Sequence, residues 1–175
     1  MVTAIIVAAG KSERMGGGTD KAFLNLGSKP VVAWSLLAYE KNVDVDTRIV
    51  VVHDGARPCV SQEVISDVIK SARRGAASVS GCRIRDTVKI VEKGSTVSST
   101  VDRAKYWAVQ TPQAFPCSML RKAYAAVEAA KQEVFDDSQA AEFAGETVKI
   151  CETDKPNIKI TTPEDLQVAA AILKL

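Results

Sequence analysis

The residues with the clearest potential for chemistry follow the first apolar run of the chain. The run Thr3–Ala8 leads into Gly10, and Lys11, Arg14 and Lys21 follow within a short glycine-rich segment. Glycines allow backbone N–H groups to approach anionic oxygens closely, and successive N–H groups form concave anion sites. Because Arg14 and Lys21 could both reach a triphosphate, the segment predicts a phosphate-binding loop.

Two named phosphate-binding patterns do not fit this segment. Gly10-Lys11-Ser12 has the ending of a Walker A loop, but Ile5 stands where the first glycine belongs, which speaks against a P-loop kinase. In a dinucleotide-binding pattern, Ser12 and Met15 would replace the second and third glycines. A flexible surface loop with solvated charges is the alternative, and the position directly after an apolar strand favours phosphate binding.

A second group of polar residues follows the second apolar run, Arg48–Val52. Asp54 and Arg57 come directly after it, and strand ends of this kind are where open α/β sheets bind ligands. A turn-forming ion pair is the alternative for these two residues. His53 is expected to be a structural or hydrogen-bonding residue, and Lys159 lies in an alternating segment where it could also face solvent.

The elements around these residues alternate between strands and helices. This order predicts an α/β fold with a Rossmann-like, mostly parallel sheet flanked by helices, in which the first strand is central and buried on both faces. The expected order is strand Thr3–Ala8, helix Pro30 to about Glu40, strand Arg48–Val52, a Ser61-capped helix to about Arg74, and strand Ala76–Ser80.

The middle of the chain predicts an antiparallel hairpin, Thr87–Glu92 and Thr96–Val101, that forms a protruding arm over about 83–105. Such a hairpin is marginally stable alone and needs a surface to lie against.

We expect one domain over 1–175. Its C-terminal part is predicted as a loop at Thr111–Gln113, helices from Cys117 and from Asp136–Ser138, strands Thr147–Cys151 and Asn157–Thr161, and a helix start at Thr162–Asp165.

Composition narrows the function classes. A length of 175 residues suits one domain with its own core, and a formal net charge of +2 is too mild to argue for a nucleic-acid partner. The chain has no apolar run long enough to span a membrane, and its N-terminus lacks the basic leader of a signal peptide. Its four cysteines are scattered and it has one histidine, which disfavours a zinc site and fits a cytoplasmic protein.

Five motifs together resemble the 2-C-methyl-D-erythritol 4-phosphate cytidylyltransferase family of nucleotidyltransferases. They occur in that family's order, from one end of the chain to the other, which makes the combination far more specific than any single motif. The motifs are Ala8–Met15 followed by Lys21, His53–Pro58, Arg85–Thr87, Gln110–Phe115 and Asn157–Leu166.

The resemblance implies transfer of a cytidylyl group from CTP to 2-C-methyl-D-erythritol 4-phosphate, with release of pyrophosphate, in non-mevalonate isoprenoid biosynthesis. The attacking phosphate is already an anion, so this chemistry needs positioning and fixed positive charge more than a base. Mg²⁺ is the expected cation, held mainly by nucleotide phosphates, with Asp54 as a candidate ligand. The alternatives are another polyol phosphate, such as ribitol 5-phosphate, and a non-catalytic nucleotide-binding remnant.

The resemblance also implies a role for individual residues. Arg14, Lys21 and Lys159 would be catalytic, and Asp54, Arg57 and Thr111 would orient the acceptor. Thr87 and Arg103 would bind the acceptor phosphate of a partner subunit, which implies a homodimer joined through the hairpin arm. The nucleotide would be bound by Ala8, Ala9, Gly10, Lys11 and Ser12.

One part of the family's pattern is missing. Between Val43 and His53 the family has a longer segment, including a GGxxRxxSV-type stretch whose glycine and serine recognise cytosine. Here Arg48–Val52 leads directly into His53. The residues that select the base therefore cannot be assigned from the sequence.

Overall fold

The computed structural model of the chain describes residues 3–8, 21–40 and 49–175. Nine strands and five helices are formed within these ranges, with short 3₁₀ turns at Lys21–Phe23 and Arg103–Lys105. The strands are β1 Thr3–Val7, β2 Asn25–Leu26, β3 Lys29–Pro30, β4 Ile49–Asp54, β5 Ala77–Arg83, β6 Lys89–Val91, β7 Val97–Thr100, β8 Trp107–Pro116 and β9 Val148–Glu152. The helices are α1 Val31–Glu40, α2 Gln62–Ala72, α3 Cys117–Ala130, α4 Asp137–Phe143 and α5 Pro163–Leu173.

Five strands form the central sheet in the order β1-β4-β8-β5-β9. β1 pairs in parallel with β4, and β5 pairs in parallel with β9. Between these pairs β8 runs antiparallel to both of its neighbours, so the other four strands point in one direction. The predicted α/β class with a mostly parallel sheet is confirmed.

Helices cover both faces of this sheet. Successive residues of a strand point to opposite sides, so apolar residues along β4 can pack against helices on either face. Ile49 and Val51 of β4 pack in a cluster with the apolar face of α2. Val52 belongs to a second cluster, which contains Phe115 of β8 and Ala141 of α4. The core therefore lies on both sides of β4 and β8.

Helix α2 forms as its sequence predicts. The side chain of Ser61 caps it by accepting a hydrogen bond of 3.3 Å from the N–H of Val64. The predicted apolar face is the buried face, and it consists of Val64, Ile65, Val68, Ile69 and Ala72.

The prediction of a loop at Thr111–Gln113 is wrong, because these residues lie inside β8, the longest strand of the central sheet. Pro112 has no N–H to donate to a ladder, and proline is therefore rare in central strands. The sheet accommodates it with an irregularity, since the pairing of β8 with β5 shifts register between Val79 and Gly81. The prediction of a strand over Asn157–Thr161 is also wrong, because these residues form an irregular connection between β9 and α5.

The expected burial of β1 on both faces is wrong as well. Among the described residues β1 is an edge strand with β4 as its neighbour, and four of its five residues are exposed. Ile5 and Val7 keep 46% and 45% of their accessible surface. Leu36 of the apolar helix α1 is similarly exposed, at 51%.

β6 and β7 form the predicted antiparallel hairpin as a separate two-stranded sheet, and all of their residues are exposed. An arm that contacts a second subunit stays a prediction. Among the described residues, the helices are all too short or too polar to cross a bilayer.

Candidate functional site

The loop that follows β4 is fixed against the end of β1. The N–H of Gly55 donates a hydrogen bond of 2.7 Å to the carbonyl of Val7. A Cβ atom at position 55 would lie 3.2 Å from that carbonyl oxygen and 3.3 Å from Cβ of Ala8, so glycine permits this close approach. Ala8, the first residue of the predicted nucleotide-binding set, therefore borders the Asp54–Arg57 loop.

Asp54, Arg57 and Lys159 form a three-residue ion cluster at this loop. Asp54 Oδ2 lies 3.3 Å from Nε of Arg57 and 2.9 Å from Nζ of Lys159. Burial alone would raise the pKa of Asp54, but the hydrogen bond and charge of Lys159, with the charge of Arg57, outweigh it and lower that pKa. The Arg57 side chain is 12% exposed and that of Lys159 is 43% exposed, so the two cations differ in their access to solvent.

The segment that carries Lys159 is held by its neighbours. Ile160 is fully buried, and its N–H donates a hydrogen bond of 2.8 Å to the carbonyl of Ala56. Asn157 is also buried, and its carbonyl accepts a hydrogen bond of 2.8 Å from a guanidinium nitrogen of Arg57. The side-chain amide of Asn157 donates to the carbonyl of Thr111 at 2.8 Å, which connects this segment to β8.

Thr111 joins the cluster through its hydroxyl. The N–H of Asp54 donates a hydrogen bond of 2.9 Å to Oγ1 of Thr111. The same oxygen lies 3.1 Å from Nδ1 of His53, which is fully buried. The structure thus brings together four of the predicted site residues, Asp54, Arg57, Thr111 and Lys159.

An open cleft of about 580 Å³ lies beside the ion cluster. Five basic and two acidic side chains line it, so its charge suits anionic groups. The basic residues are Arg57, Arg83, Arg85, Lys155 and Lys159, and the acidic residues are Asp86 and Asp154.

Thr87 and Arg103 of the hairpin region lie next to residues that line this cleft. Thr87 is exposed just before β6, and Arg103 is exposed in the 3₁₀ turn that follows β7. A guanidinium nitrogen of Arg103 donates a hydrogen bond to the carbonyl of Arg85, which connects the two ends of the hairpin region. Neither Thr87 nor Arg103 lines the cleft within this chain.

The remaining predicted residues belong to the glycine-rich segment. Lys21 begins a 3₁₀ turn. The pKa of Asp165 at the start of α5 is lowered mainly by backbone hydrogen bonding at Thr162, and the positive charge of Lys21 adds to this effect. Five further predicted residues, Ala9, Gly10, Lys11, Ser12 and Arg14, lie outside the described residues.

The described ranges contain no group of three or more His, Cys, Asp and Glu residues placed to hold a metal ion. Asp54, the candidate ligand, already interacts with two cations through one carboxylate oxygen. These residues therefore do not form a metal site by themselves.

Several residues of the cleft could not be recognised from the sequence. Asn157 belongs to one of the five motifs, but nothing in its type indicated that its backbone and amide would connect Arg57 with Thr111. Arg83 and Lys155 carried no signal, because exposed basic residues are common on any surface. Their contribution becomes visible only when the fold places them around one opening.

The chain is similar to a known family over its whole length. The family model described as 2-C-methyl-D-erythritol 4-phosphate cytidylyltransferase matches residues 2–51 and 41–175. A protein of that name from Caldanaerobacter subterraneus subsp. tengcongensis is 34% identical, and the alignment covers 99% of this chain and 99% of that protein. Another from Bacillus thuringiensis is 35% identical, with 99% of this chain and 98% of the relative covered.

Solved structures show the same fold. The crystal structure of 2-C-methyl-D-erythritol 4-phosphate cytidylyltransferase from Thermus thermophilus has a TM-score of 0.83 at 27% identity, covering 99% of this chain and 98% of that one. The structure of 4-diphosphocytidyl-2C-methyl-D-erythritol synthase from Anaerococcus prevotii has a TM-score of 0.82 at 27% identity, covering 99% and 96%.

The comparisons also locate the missing segment. The alignment to the Caldanaerobacter protein extends over 227 positions, whereas this chain has 175 residues, so at least 52 positions have no residue of this chain opposite them. The two pieces matched by the family model overlap at 41–51, which places the interruption there. The prediction of a missing segment before His53 is confirmed.

Proposed function

The chain belongs to the 2-C-methyl-D-erythritol 4-phosphate cytidylyltransferase family, and we propose that it transfers a cytidylyl group from CTP to 2-C-methyl-D-erythritol 4-phosphate. The products are 4-diphosphocytidyl-2-C-methyl-D-erythritol and pyrophosphate. The observation that carries this proposal is the Asp54, Arg57 and Lys159 cluster at the rim of a basic cleft, directly beside the end of β1.

The chemistry requires two anions to meet. A phosphate oxygen of the acceptor attacks the α-phosphorus of CTP, and the bond to pyrophosphate breaks. Fixed positive charges in a partly desolvated site stabilise the charge that develops on the phosphate oxygens. Lys159 is suited to this task because it is held near Asp54 yet is 43% exposed, so its ammonium can reach a phosphate.

Asp54 and Arg57 are suited to orienting the acceptor. Arg57 is held by Asp54 and by the carbonyl of Asn157, so its guanidinium has a defined direction. A carboxylate at Asp54 can accept hydrogen bonds from hydroxyl groups, and the lowered pKa keeps it ionised at neutral pH. We propose the same orienting role for Thr111.

The other assigned roles rest on the family pattern. We propose that Arg14 and Lys21 hold the triphosphate and that Ala8, Ala9, Gly10, Lys11 and Ser12 surround the nucleotide. We also propose a cytoplasmic homodimer in which Thr87 and Arg103 of the hairpin arm contact the acceptor bound by the partner subunit. The exposure of every residue of β6 and β7 supports this arrangement, because a two-stranded sheet of this kind needs a surface to lie against.

A divalent cation, proposed as Mg²⁺, would neutralise charge on the triphosphate when bound. Since the described residues do not form a metal site, we propose that the nucleotide phosphates hold this cation, with Asp54 as the candidate protein ligand. The relatives named above carry the methylerythritol phosphate in their names, which favours that acceptor over ribitol 5-phosphate.

The test is a pyrophosphate-release assay with CTP, Mg²⁺ and each acceptor in turn. We expect release only when 2-C-methyl-D-erythritol 4-phosphate is present. Arg14→Ala, Lys21→Ala and Lys159→Ala should each lower turnover by roughly 100-fold or more, with unchanged circular dichroism. Normal turnover in these variants would refute the site assignment.

Lys155→Ala is the matched control for Lys159→Ala. Its side chain also lines the cleft and is similarly exposed, at 48%, but its ion pair is with Glu63 at 3.5 Å and not with Asp54. We expect a small effect on turnover. Equal losses in both lysine variants would mean that the cleft acts through its overall charge and not through the Asp54 cluster.

A further inference from the structure

His53 is fully buried behind the proposed acceptor site, and each of its ring nitrogens has one partner. Nε2 lies 3.1 Å from the carbonyl oxygen of Arg57, and Nδ1 lies 3.1 Å from Oγ1 of Thr111. A carbonyl can only accept a hydrogen bond, so the Nε2 contact requires a proton on Nε2. The ring is fully buried and its two nitrogens face a carbonyl and a hydroxyl, so a positive charge there would lack an anionic partner. Because an unpaired charge is costly to bury, the ring is neutral and Nδ1 carries a lone pair.

This tautomer determines the direction of the hydrogen bonds at Thr111. Because Nδ1 accepts, the hydroxyl proton of Thr111 is donated to it. The hydroxyl oxygen also accepts from the N–H of Asp54 at 2.9 Å. A hydroxyl has one proton and two lone pairs, so one lone pair of Thr111 remains available. Thr111 is only partly buried, and its neighbour Asp54 meets Lys159 at 2.9 Å.

We propose that His53 is a positioning residue that makes Thr111 a pure hydrogen-bond acceptor, so that Thr111 recognises a hydroxyl group of the acceptor alcohol and disfavours a phosphate oxygen. This inference rests on the proposed function. It divides the site by chemistry, since Arg57 and Lys159 attract anionic oxygens while Thr111 accepts from a hydroxyl donor. The polarity at Thr111 would thus help to set which end of a polyol phosphate faces β8.

The tautomer can be measured directly because the chain contains one histidine. In a ¹⁵N-histidine-labelled sample at pH 7.5, we expect the signals of a neutral ring protonated at Nε2. Thr111→Val, which removes the hydroxyl at similar volume, should shift the Nδ1 resonance towards that of a nitrogen without a hydrogen bond. A ring protonated at Nδ1, or an Nδ1 signal indifferent to Thr111→Val, would overturn the proposal. Neither result depends on whether the chain turns over CTP.

The effect on recognition is tested by a double-mutant cycle. His53→Gln can still donate towards the Arg57 carbonyl but offers no acceptor at the Nδ1 position. We expect it to raise the KM for the acceptor about fivefold, the cost of about one hydrogen bond, with little change in the KM for CTP. In a Thr111→Val background the same change should add no more than about twofold, because the group through which His53 acts is gone. An equal increase in both backgrounds would overturn the proposal.

Two further variants separate positioning from general support of the loop. Ser35→Ala removes hydrogen bonds of 3.1 Å and 3.2 Å to the carbonyls of Gly55 and Arg57, without touching Thr111. His53→Asn can place its amide oxygen near the Nδ1 position but cannot reach Arg57. Both variants should keep the acceptor KM close to that of the wild type. If Ser35→Ala reproduces the effect of His53→Gln, or if His53→Asn raises the acceptor KM about fivefold, His53 is only structural.

Discussion

Replacing Asp54 by asparagine tests how strongly the ion cluster stabilises the fold. The substitution keeps the size of the side chain but removes the charge that balances Arg57 and Lys159. The Arg57 side chain is 12% exposed, so the loss of its carboxylate partner should cost about 2 kcal/mol or more. The Lys159 side chain is 43% exposed and water replaces much of its interaction, so its share should be at most about 1 kcal/mol. Together these give a loss of at least about 2 kcal/mol, and about 3 kcal/mol if Lys159 contributes its full share, in the free energy of unfolding.

Urea denaturation at pH 7 measures this loss directly. Glu152→Gln is the matched control, because the Arg83–Glu152 pair has a similar distance of 3.1 Å but both side chains are more than half exposed, at 59% and 57%. We expect the control to change the free energy of unfolding by no more than about 0.5 kcal/mol. Equal losses in the two variants, or a loss below about 0.5 kcal/mol in Asp54→Asn, would refute the reasoning from burial.

Three further predictions concern stability. The pKa of His53 lies at about 4 in the folded chain and near 6.5 when unfolded, so the unfolded state binds more protons between these values. The wild type should therefore lose about 3 kcal/mol as the pH falls from 6.5 to 4, and His53→Gln should lack this component in pH-dependent urea titrations. Ser61→Ala removes the cap of α2 and should lower the free energy of unfolding by about 1 kcal/mol, measured by thermal unfolding. No change would mean that the 3.3 Å contact does not stabilise the helix. Asp165→Ala should cost about 1 to 2 kcal/mol, since this carboxylate accepts from the N–H groups of Thr161 and Thr162 at 2.7 Å and 2.8 Å, and a neutral result would exclude that role.

Local patterns predicted the helices well. α2 has a cap and an apolar face at helical spacing, and α5 begins with a cap, a proline and two acids, so both starts follow from nearby residues. β8 could not be recognised in this way because it contains Pro112 and is stabilised by neighbours distant in sequence, β4 and β5. The exposure of β1 also depends on partners far along the chain. Its apolar composition indicated burial, but among the described residues only β4 lies beside it.

The candidate site likewise contains residues that local patterns predicted and contacts that depend on distant parts of the chain. Asp54 and Arg57 could be predicted because both come directly after one apolar run of the sequence and match one motif. That Lys159 meets Asp54 depends on the path of an irregular segment fixed by Ile160 and Asn157, which no local pattern encodes. The arrangement of His53 and Thr111 likewise depends on β4 and β8 being adjacent, and the latter was not predicted as a strand.

Cytidylyl transfer can be followed in a ³¹P nuclear magnetic resonance time course with the wild-type chain, CTP, Mg²⁺ and 2-C-methyl-D-erythritol 4-phosphate. We expect the triphosphate and monophosphate signals to decrease together while free pyrophosphate and a new diphosphate diester increase in equal amounts. We expect Lys159→Ala to suppress both products. An unchanged spectrum, or pyrophosphate formed without the diester, would contradict the proposed transfer.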